Sequence, residues 1–421
     1  MKISRRYILK ALGGLSIAGL FPRLGFGHNN SETFEYPSTI SKIDVLVVGG
    51  GPAGIAAAIQ AGRAGATTML MERSSQLGGT ATNAGVSFPG LFDAWGEQII
   101  SGIGWELVKE AVYLDGGSLP DFSIVPEHHW MNQVHINQFL YVLLAEEKCR
   151  QAGVEIAFYE FPQSVSKTDM GWSVDCYGFG TRRSVRCKQI VDCTGGAEVI
   201  GILGFPRLHE EETQPGSILF KLDEANNPGR PNGPEPGLLD SIYVHRADSS
   251  SSRTVTKANL KGRESVLNLI RKEKRRLMHL QPEVGFRESY RIVGETTITH
   301  SDYVSGRFYE DSICNAFYPV DLHTKDGVKP KSLKPGIVPR IPLRALIPLG
   351  AENIMVAGRS VSSDRLANSG LRVQASCMAM GQAAGACAAL AAKDNTTPLE
   401  LPLKTIHDLL KKHKAIVPQN K

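Results

Sequence analysis

An apolar run, Ile43–Val48, breaks directly into Gly49-Gly50-Gly51-Pro52-Ala53-Gly54, and a stretch of mostly small residues follows to Ala64. The run reads as a buried strand and Pro52–Ala64 as a helix opened by a proline. Thr67–Glu72 reads as a second strand, so the three form a β-α-β unit. Between strand and helix, Gly49-x-Gly51-x-x-Gly54 stands in the context that makes the pattern a dinucleotide turn. Gly49 permits the tight turn, Gly51 leaves no side chain between backbone and a pyrophosphate, and Gly54 lets the helix close on the strand. The helix N-terminus, opened by Pro52, presents the unpaired N–H groups of Ala53 and Gly54 and a positive dipole end to phosphate. Glu72, followed by Arg73, ends the second strand where a carboxylate accepts from ribose hydroxyls. It would repel a 2′-phosphate, which disfavours NADP. A chance glycine-rich turn would not bring strand, helix and Glu72 into register.

FAD and NAD both use this unit, and three later stretches favour FAD. Leu77-Gly78-Gly79-Thr80-Ala81-Thr82 lies where a glycine loop returns along a pyrophosphate and ribityl chain. Val191-Asp192-Cys193-Thr194-Gly195 has the strand-to-small-residue form of a second nucleotide contact. Near the C-terminus, Asn353–Ala357 reads as a strand leading to Gly358-Arg359, and a helix of small residues, Val373–Ala391, opens near Arg372. A helix N-terminus aimed at the flavin pyrimidine ring would stabilise the negative charge of reduced flavin.

The stretch IPLRALIPLGAENIMVAGRSVSSDRLANSGLRVQASCMAMGQAAGACAAL, from Ile341, resembles the C-terminal signature of the FAD-dependent oxidoreductase family, distant kin of the flavoprotein subunits of fumarate reductase and succinate dehydrogenase. Phe286–Glu295 (FRESYRIVGE) and Tyr318–His323 (YPVDLH) resemble its middle-region motifs, so the likeness spans most of residues 43–392. It implies an α/β protein with a Rossmann-like FAD/NAD(P)-binding domain of the glutathione-reductase type and an inserted α+β substrate or cap domain. The chain departs from the pattern at Asp364-Arg365, where many relatives carry a histidine, and at Leu343, where a tyrosine is common.

Candidate substrate groups are Arg287, Arg291, Tyr318, His323, Arg340, Arg344, Arg359 and Arg372. An arginine fork holds a carboxylate or polarises a carbonyl through paired hydrogen bonds. His323 is the candidate general base and Tyr318 the candidate proton donor, with Arg287 and Arg372 as the principal substrate arginines. Each has a plainer reading. Arg287 and Arg291 are expected four apart on a helix, where Glu288 or Glu295 would pair with them, and His323 would serve equally as a turn residue. His128-His129-Trp130 reads as a loop or contact feature. Apart from the turn at Gly49 there is no second strand–GxGxxG–helix unit. Built-in reduction by NAD(P)H is thus disfavoured, and electrons are expected to pass between a small-molecule substrate, FAD and a separate acceptor.

The formal charge of +5 tells less than it seems to, because Lys2, Arg5, Arg6, Lys10 and Arg23 account for all of it. The remainder is near neutral, which removes the electrostatic case for a nucleic-acid partner. Those residues belong to a leader: Ser4-Arg5-Arg6-Tyr7-Ile8-Leu9-Lys10 resembles a twin-arginine export motif, an apolar run from Ala11 to Phe21 follows, and Gly25-Phe26-Gly27 offers a small-x-small cleavage site. The alternative is a general secretory signal with two incidental arginines. Export of an already folded protein suits a noncovalent cofactor made in the cytosol, and a periplasmic location follows. No later stretch is expected to span a bilayer. Seven cysteines without a CxxC pair argue against a metal site; buried, inert thiols are expected, with Cys193 set beside the cofactor.

The expected organisation is a signal segment at 1–27, an FAD-binding domain in two parts at 42–205 and 341–395, a substrate or cap domain at 206–340, and a tail at 396–421. Within it, Ile136–Ala152 reads as an amphipathic helix with Phe139, Leu140, Leu143 and Leu144 on one side, and Gly262–Leu280 as a helix with a solvated basic face. Antiparallel strands are expected around 164–165, 171–177 and 183–191, and Asn226–Gly237 reads as a Pro/Gly loop. Two rival functions stand beside the main one: an NAD(H)-only dehydrogenase and a non-catalytic flavin-containing binding protein.

Overall fold

The computed structural model describes residues 38–223, 239–324, 327–328 and 330–419. The stretch read as an export leader, most of the polar stretch after it, and the Asn226–Gly237 stretch lie outside these residues. Residues from Pro37 onward form one compact unit.

The chain opens as β1 (Ser38–Val48), α1 (Pro52–Arg63) and β2 (Thr68–Glu72); α1 and β2 lie within a residue of the expected unit, and β1 starts five residues before the expected Ile43. It continues through α2 (Ile103–Leu114), α3 (Gln138–Gln151), β3 (Glu155–Phe158), and a meander of β4 (Phe161–Thr168), β5 (Gly171–Gly178) and β6 (Thr181–Asp192). Then come β7 (Gly216–Leu222), β8 (Asp240–Val244), α4 (Ser252–Glu273) and β9 (Leu277–Leu280). The C-terminal part adds β10 (Ile354–Val356), α5 (Arg365–Leu371), α6 (Gln374–Asp394) and α7 (Leu403–Lys412).

Five strands pair in parallel in the order β3-β2-β1-β6-β10, and β5 and β4 continue antiparallel from β6. Both faces of the sheet are covered, which is why β1 reads Val-Leu-Val-Val without polar alternation. Val45 and Val47 join the large core under α1 and α6, and Leu46 and Val48 join a second core on the opposite face. All five parallel strands end at the same edge, so the loops after β1, β2, β6 and β10 converge there.

Several elements differ from expectation. On α3 the buried stripe is Tyr141, Leu144, Ala145 and Cys149, whereas Phe139 and Leu143 are each 63% exposed. Both stripes have helical spacing, and packing against α1 and α2 selects between them. The helix expected at Gly262–Leu280 starts ten residues earlier, where Ser251 and Thr254 form a capping box. It ends at Glu273 because Lys274 turns left-handed; Arg275 and Arg276 then hydrogen-bond to Asp223, and Leu277–Leu280 is a strand. Phe286–Tyr290 is irregular rather than helical. Arg287 and Arg291 therefore do not pair with Glu288 or Glu295.

Among the described residues of the middle region, 216–223 and 239–285 build a core of their own, with α4 laid on the three-stranded sheet β8-β7-β9. Ile298, Tyr303, Ile313 and Ile341 belong instead to the large core. The stretch expected as a tail carries α7, which docks through Ile406 and Leu410. Among the described residues one helix, α6, is long and apolar enough to cross a membrane, contrary to the expectation that no later stretch would be. Its most apolar window is 89% buried within the protein, because Gly381 and Gly385 let it lie directly on α1 as a core helix.

Candidate functional site

At the carboxyl edge of the sheet the first turn is held from three sides. Gly49 has φ +100°, and a Cβ there would stand 2.5 Å from the Cys193 carbonyl oxygen. A Cβ on Gly54 would stand 1.8 Å from the Gly49 oxygen, so neither position accepts a side chain. Around a Cβ built on Gly51 there is nothing within 4 Å. The missing side chain at Gly51 thus serves something other than the protein's own packing. Glu72 ties the turn to β2, accepting from the Gly50 N–H at 2.6 Å and the Ser74 N–H at 2.8 Å. Gly51 caps α1 with no side-chain hydrogen bond and no acid in the first turn, so the helix N-terminus stays open to an anion.

The loop after β6 is built on Asp192, which is fully buried. Its carboxylate accepts from the N–H and hydroxyl of Thr194 and from the N–H groups of Val199 and Ile200. Burial pushes its pKa up, and these bonds work against that shift. Arg359, after β10, crosses to this loop. It donates to Gly195 O at 2.9 Å, Phe286 O at 2.6 Å and Ser249 Oγ at 3.3 Å, and burial pushes it down to about 10.

These loops enclose a cavity of about 850 Å³. Gly49, Gly51, Pro52 and Ala53 line it from the first turn, and Glu72 with Arg73 from the end of β2. Gly79 and Thr80, Thr194 and Gly195, and Gly358 with Arg359 line it from the other loops, and Arg372 lines it as well. Gly54, Gly78 and Val373 are not on the wall. Gly54 sits beneath the turn, Gly78 donates its N–H to Gly50 O, and Val373 caps α6. The sequence reading missed Ser249–Ser252 at the start of α4, and also Glu198, Arg207 and Phe286. Four consecutive serines before a helix were the available sign. Cys193 and Cys377 also face the cavity; burial pushes both thiols up, Cys377 to about 12. All seven cysteines are buried and free.

Beyond Arg372 lies a second group of polar side chains. Arg372 donates to Asp321 O at 3.2 Å and lies 3.6 Å from Asp321 Oδ2, while its buried Nε has no partner. Arg287 donates to Pro215 O and Ser217 Oγ, and its guanidinium lies 5.4 Å from the centre of the Tyr243 ring. Burial, and then the Arg372 charge, push Arg287 down to about 10. His323 lies between Asp321 and Tyr243, 3.0 Å from each. Tyr318 accepts from Gln133 Nε2 at 3.0 Å and meets the His129 ring edge-on; burial pushes its phenol up to about 12. The fold thus brings together the four candidates Arg287, Tyr318, His323 and Arg372, and adds Asp321, Tyr243, Gln133 and His129.

Other candidates fall outside this group. Arg291 is buried but engaged with Ser363 O and Glu210, Arg344 pairs with Asp311, and Arg340 lies over Phe308. Of the His128–Trp130 stretch only His129 reaches the group, since Trp130 is exposed. At the positions that depart from the family pattern, Asp364 caps α5, Arg365 pairs with buried Glu288, and Leu343 is core. No cluster of three metal-ligating side chains occurs among the described residues.

The wall fits a dinucleotide, with open space at Gly51 and unpaired buried polar atoms at Arg372 Nε and Gln374 Oε1. Among known proteins, mitochondrial dihydrolipoyl dehydrogenase of Pisum sativum is 35% identical over 80 residues, covering 17% of this chain and 16% of that enzyme. Two solved structures align over 89% of this chain at 14% identity. One is the OxyS anhydrotetracycline hydroxylase of Streptomyces rimosus (TM-score 0.46, 66% of that chain). The other is a geranylgeranyl bacteriochlorophyll reductase-like protein of Thermoplasma acidophilum (TM-score 0.45, 84% of that chain). Residues 44–236 and 219–410 match the family described as FAD dependent oxidoreductase. That match sets aside both the NAD(H)-only and the non-catalytic alternatives. The chain belongs to the FAD-dependent oxidoreductase family, as an enzyme whose cofactor is FAD.

Proposed function

We propose that the enzyme transfers hydride between a small polar organic substrate and FAD, and that a separate acceptor exchanges electrons with the flavin. One observation carries this reading: the cavity wall includes Arg372, and Arg372 is also part of the Arg287–Asp321–His323–Tyr318 group. Cofactor cavity and polar group thus share one side chain. The Gly49–Gly51 turn with the N-terminus of α1, Glu72, Gly79–Thr80, Thr194–Gly195 and Gly358–Arg359 would hold the FAD. Bound there, it supplies the two-electron chemistry.

Arg287 and Arg372 bind and orient the substrate. Two buried guanidiniums face one carboxylate, Asp321, so the group carries an excess of positive charge suited to a carboxylate or a polarised carbonyl. Tyr318 keeps its proton at neutral pH and would donate a hydrogen bond to the substrate. The separate acceptor follows from the single strand–GxGxxG–helix unit in the sequence. FAD is held noncovalently in this reading, since neither cavity cysteine is a ready thiolate. We read the parallel sheet as a glutathione-reductase-type FAD domain and residues 216–285 as its cap. We also read the protein as exported by the twin-arginine route.

Anaerobic mixing of the FAD-loaded enzyme with small polar acids, alcohols and carbonyl compounds tests the reaction, with flavin bleaching or reoxidation as the signal. Arg372→Ala should retain FAD and lose bleaching; loss of the FAD itself would make Arg372 a cofactor ligand instead. Failure of every candidate to change the flavin would overturn hydride transfer with a small polar substrate.

A further inference from the structure

His323 has no free nitrogen. Its Nε2 lies 3.0 Å from Asp321 Oδ2 and its Nδ1 lies 3.0 Å from the Tyr243 phenol oxygen. An ionised carboxylate only accepts, so the imidazole proton sits on Nε2, and Nδ1 accepts from the Tyr243 hydroxyl. The histidine therefore cannot take a proton from a substrate directly. Resting on the hydride-transfer reading above, we propose that Tyr243 is the residue that exchanges a proton with the substrate, with His323 as the base behind it and Asp321 orienting that base.

The surroundings support this assignment. Tyr243 lies on the edge strand β8, is 36% exposed, and pairs in register with Ser217, which accepts from Arg287. The Arg287 guanidinium over the Tyr243 ring would stabilise negative charge building on the phenol oxygen. The groups facing His323 are Asp321, Tyr243, Arg287 and Arg372, and Asp321 in turn faces Tyr318 and His129. Burial first, and then the two arginines, hold His323 below the ordinary histidine value, with Asp321 opposing. At neutral pH the ring is therefore uncharged and ready to accept. Among the described residues the Tyr318 hydroxyl meets Gln133, an amide donor, in place of a base.

The proton step balances as a relay. As a substrate O–H bond breaks, its proton bonds to Tyr243 Oη; the original Tyr243 O–H bond breaks and that proton bonds to His323 Nδ1. The imidazolium so formed is held by Asp321, as in a triad where a carboxylate fixes the tautomer of a histidine. The reverse sequence returns a proton to the substrate.

Two measurements on the FAD-loaded protein test the assignment. Nitrogen NMR of labelled histidine should show His323 protonated at Nε2, with an Nδ1 resonance that moves in Tyr243→Phe as the phenol donor is lost. An Nδ1-protonated ring, or an unmoved resonance, overturns the relay, and this arm needs no substrate. With any substrate that bleaches the wild type, Tyr243→Phe should slow flavin reduction by about 100-fold or more with FAD content unchanged. His323→Gln should slow it similarly, and the double variant little further. Wild-type rate and pH profile in Tyr243→Phe overturn the assignment while leaving hydride transfer standing. If Tyr243→Phe fails to hold FAD, His323→Gln carries the kinetic arm, and a wild-type rate there overturns it. If nothing bleaches the wild type, hydride transfer falls and the NMR arm alone decides the relay.

Discussion

Substituting Gly385 with alanine probes the contact that seats α6 on α1. A Cβ at Gly385 would stand 2.2 Å from the Ala57 carbonyl oxygen and 2.8 Å from Ala57 C and Cα, whereas ordinary contact begins at 3.4 Å. Backbone cannot swing aside as a long side chain can, so the helices must part by about 1.2 Å locally, against a usual interaxial spacing of about 8–10 Å. Overpacking of this kind costs about 1–3 kcal/mol, and the better helix propensity of alanine offsets about 1 kcal/mol. The net expectation is a loss of up to about 2 kcal/mol, a melting temperature lower by a few degrees. Gly381→Ala makes the same clash one turn earlier, 2.0 Å from the Ala53 oxygen. Ala53 lies on the cavity wall, so this variant should lose FAD as well as stability. The assay is thermal unfolding alongside the ratio of flavin to protein. A Gly385→Ala protein more stable than its parent, by about the 1 kcal/mol that propensity alone supplies, would refute the reasoning, because the helix contact would then cost nothing.

Gly51→Ala should fold and melt like the parent yet bind FAD poorly, since its Cβ meets nothing in the protein; Gly49→Ala, forced to φ +100° against Cys193, should instead reduce soluble yield. Expression yield and flavin content separate the two. Flavin reduction should fail on the acid side with a midpoint below the ordinary histidine value of about 6.5, because His323 is held neutral by burial and acts only while unprotonated. The same depression makes its contribution to stability present above that value and lost as pH falls through the folded pKa. A pH–rate profile checks the first statement; His323→Gln should remove the acid limb. Replacing Arg5 and Arg6 with lysine should leave the protein in the cytoplasm, as cell fractionation would show; unchanged export would favour the general secretory route.

The cofactor half of the site was legible because it is local. A strand, a glycine turn and a helix follow one another within residues 43–64, and backbone chemistry alone selects glycine where no side chain is tolerated. The same holds for Asp192-Cys193-Thr194-Gly195, where one buried carboxylate organises four neighbouring donors. The substrate half was only partly legible. Tyr318 and His323 are close in sequence and were paired, but Tyr243 is 80 residues from His323 and carries no motif. Helical spacing misled at Phe139 and Leu143, since a period shows which residues share a face and not which face is buried, and at Arg287 and Arg291, where the segment is not helical.

By itself, then, the sequence determined the nucleotide unit, its acidic partner Glu72, and the likeness to an FAD-dependent family. Each of these depends on the φ, the size or the hydrogen bonding of residues near one another in the chain. Tertiary structure alone decided that His323 has both nitrogens engaged, that Arg372 belongs to cavity and polar group at once, and that an apolar 21-residue helix is core. Those properties depend on which distant segments meet, and long-range packing leaves no periodic trace in the residues that make it.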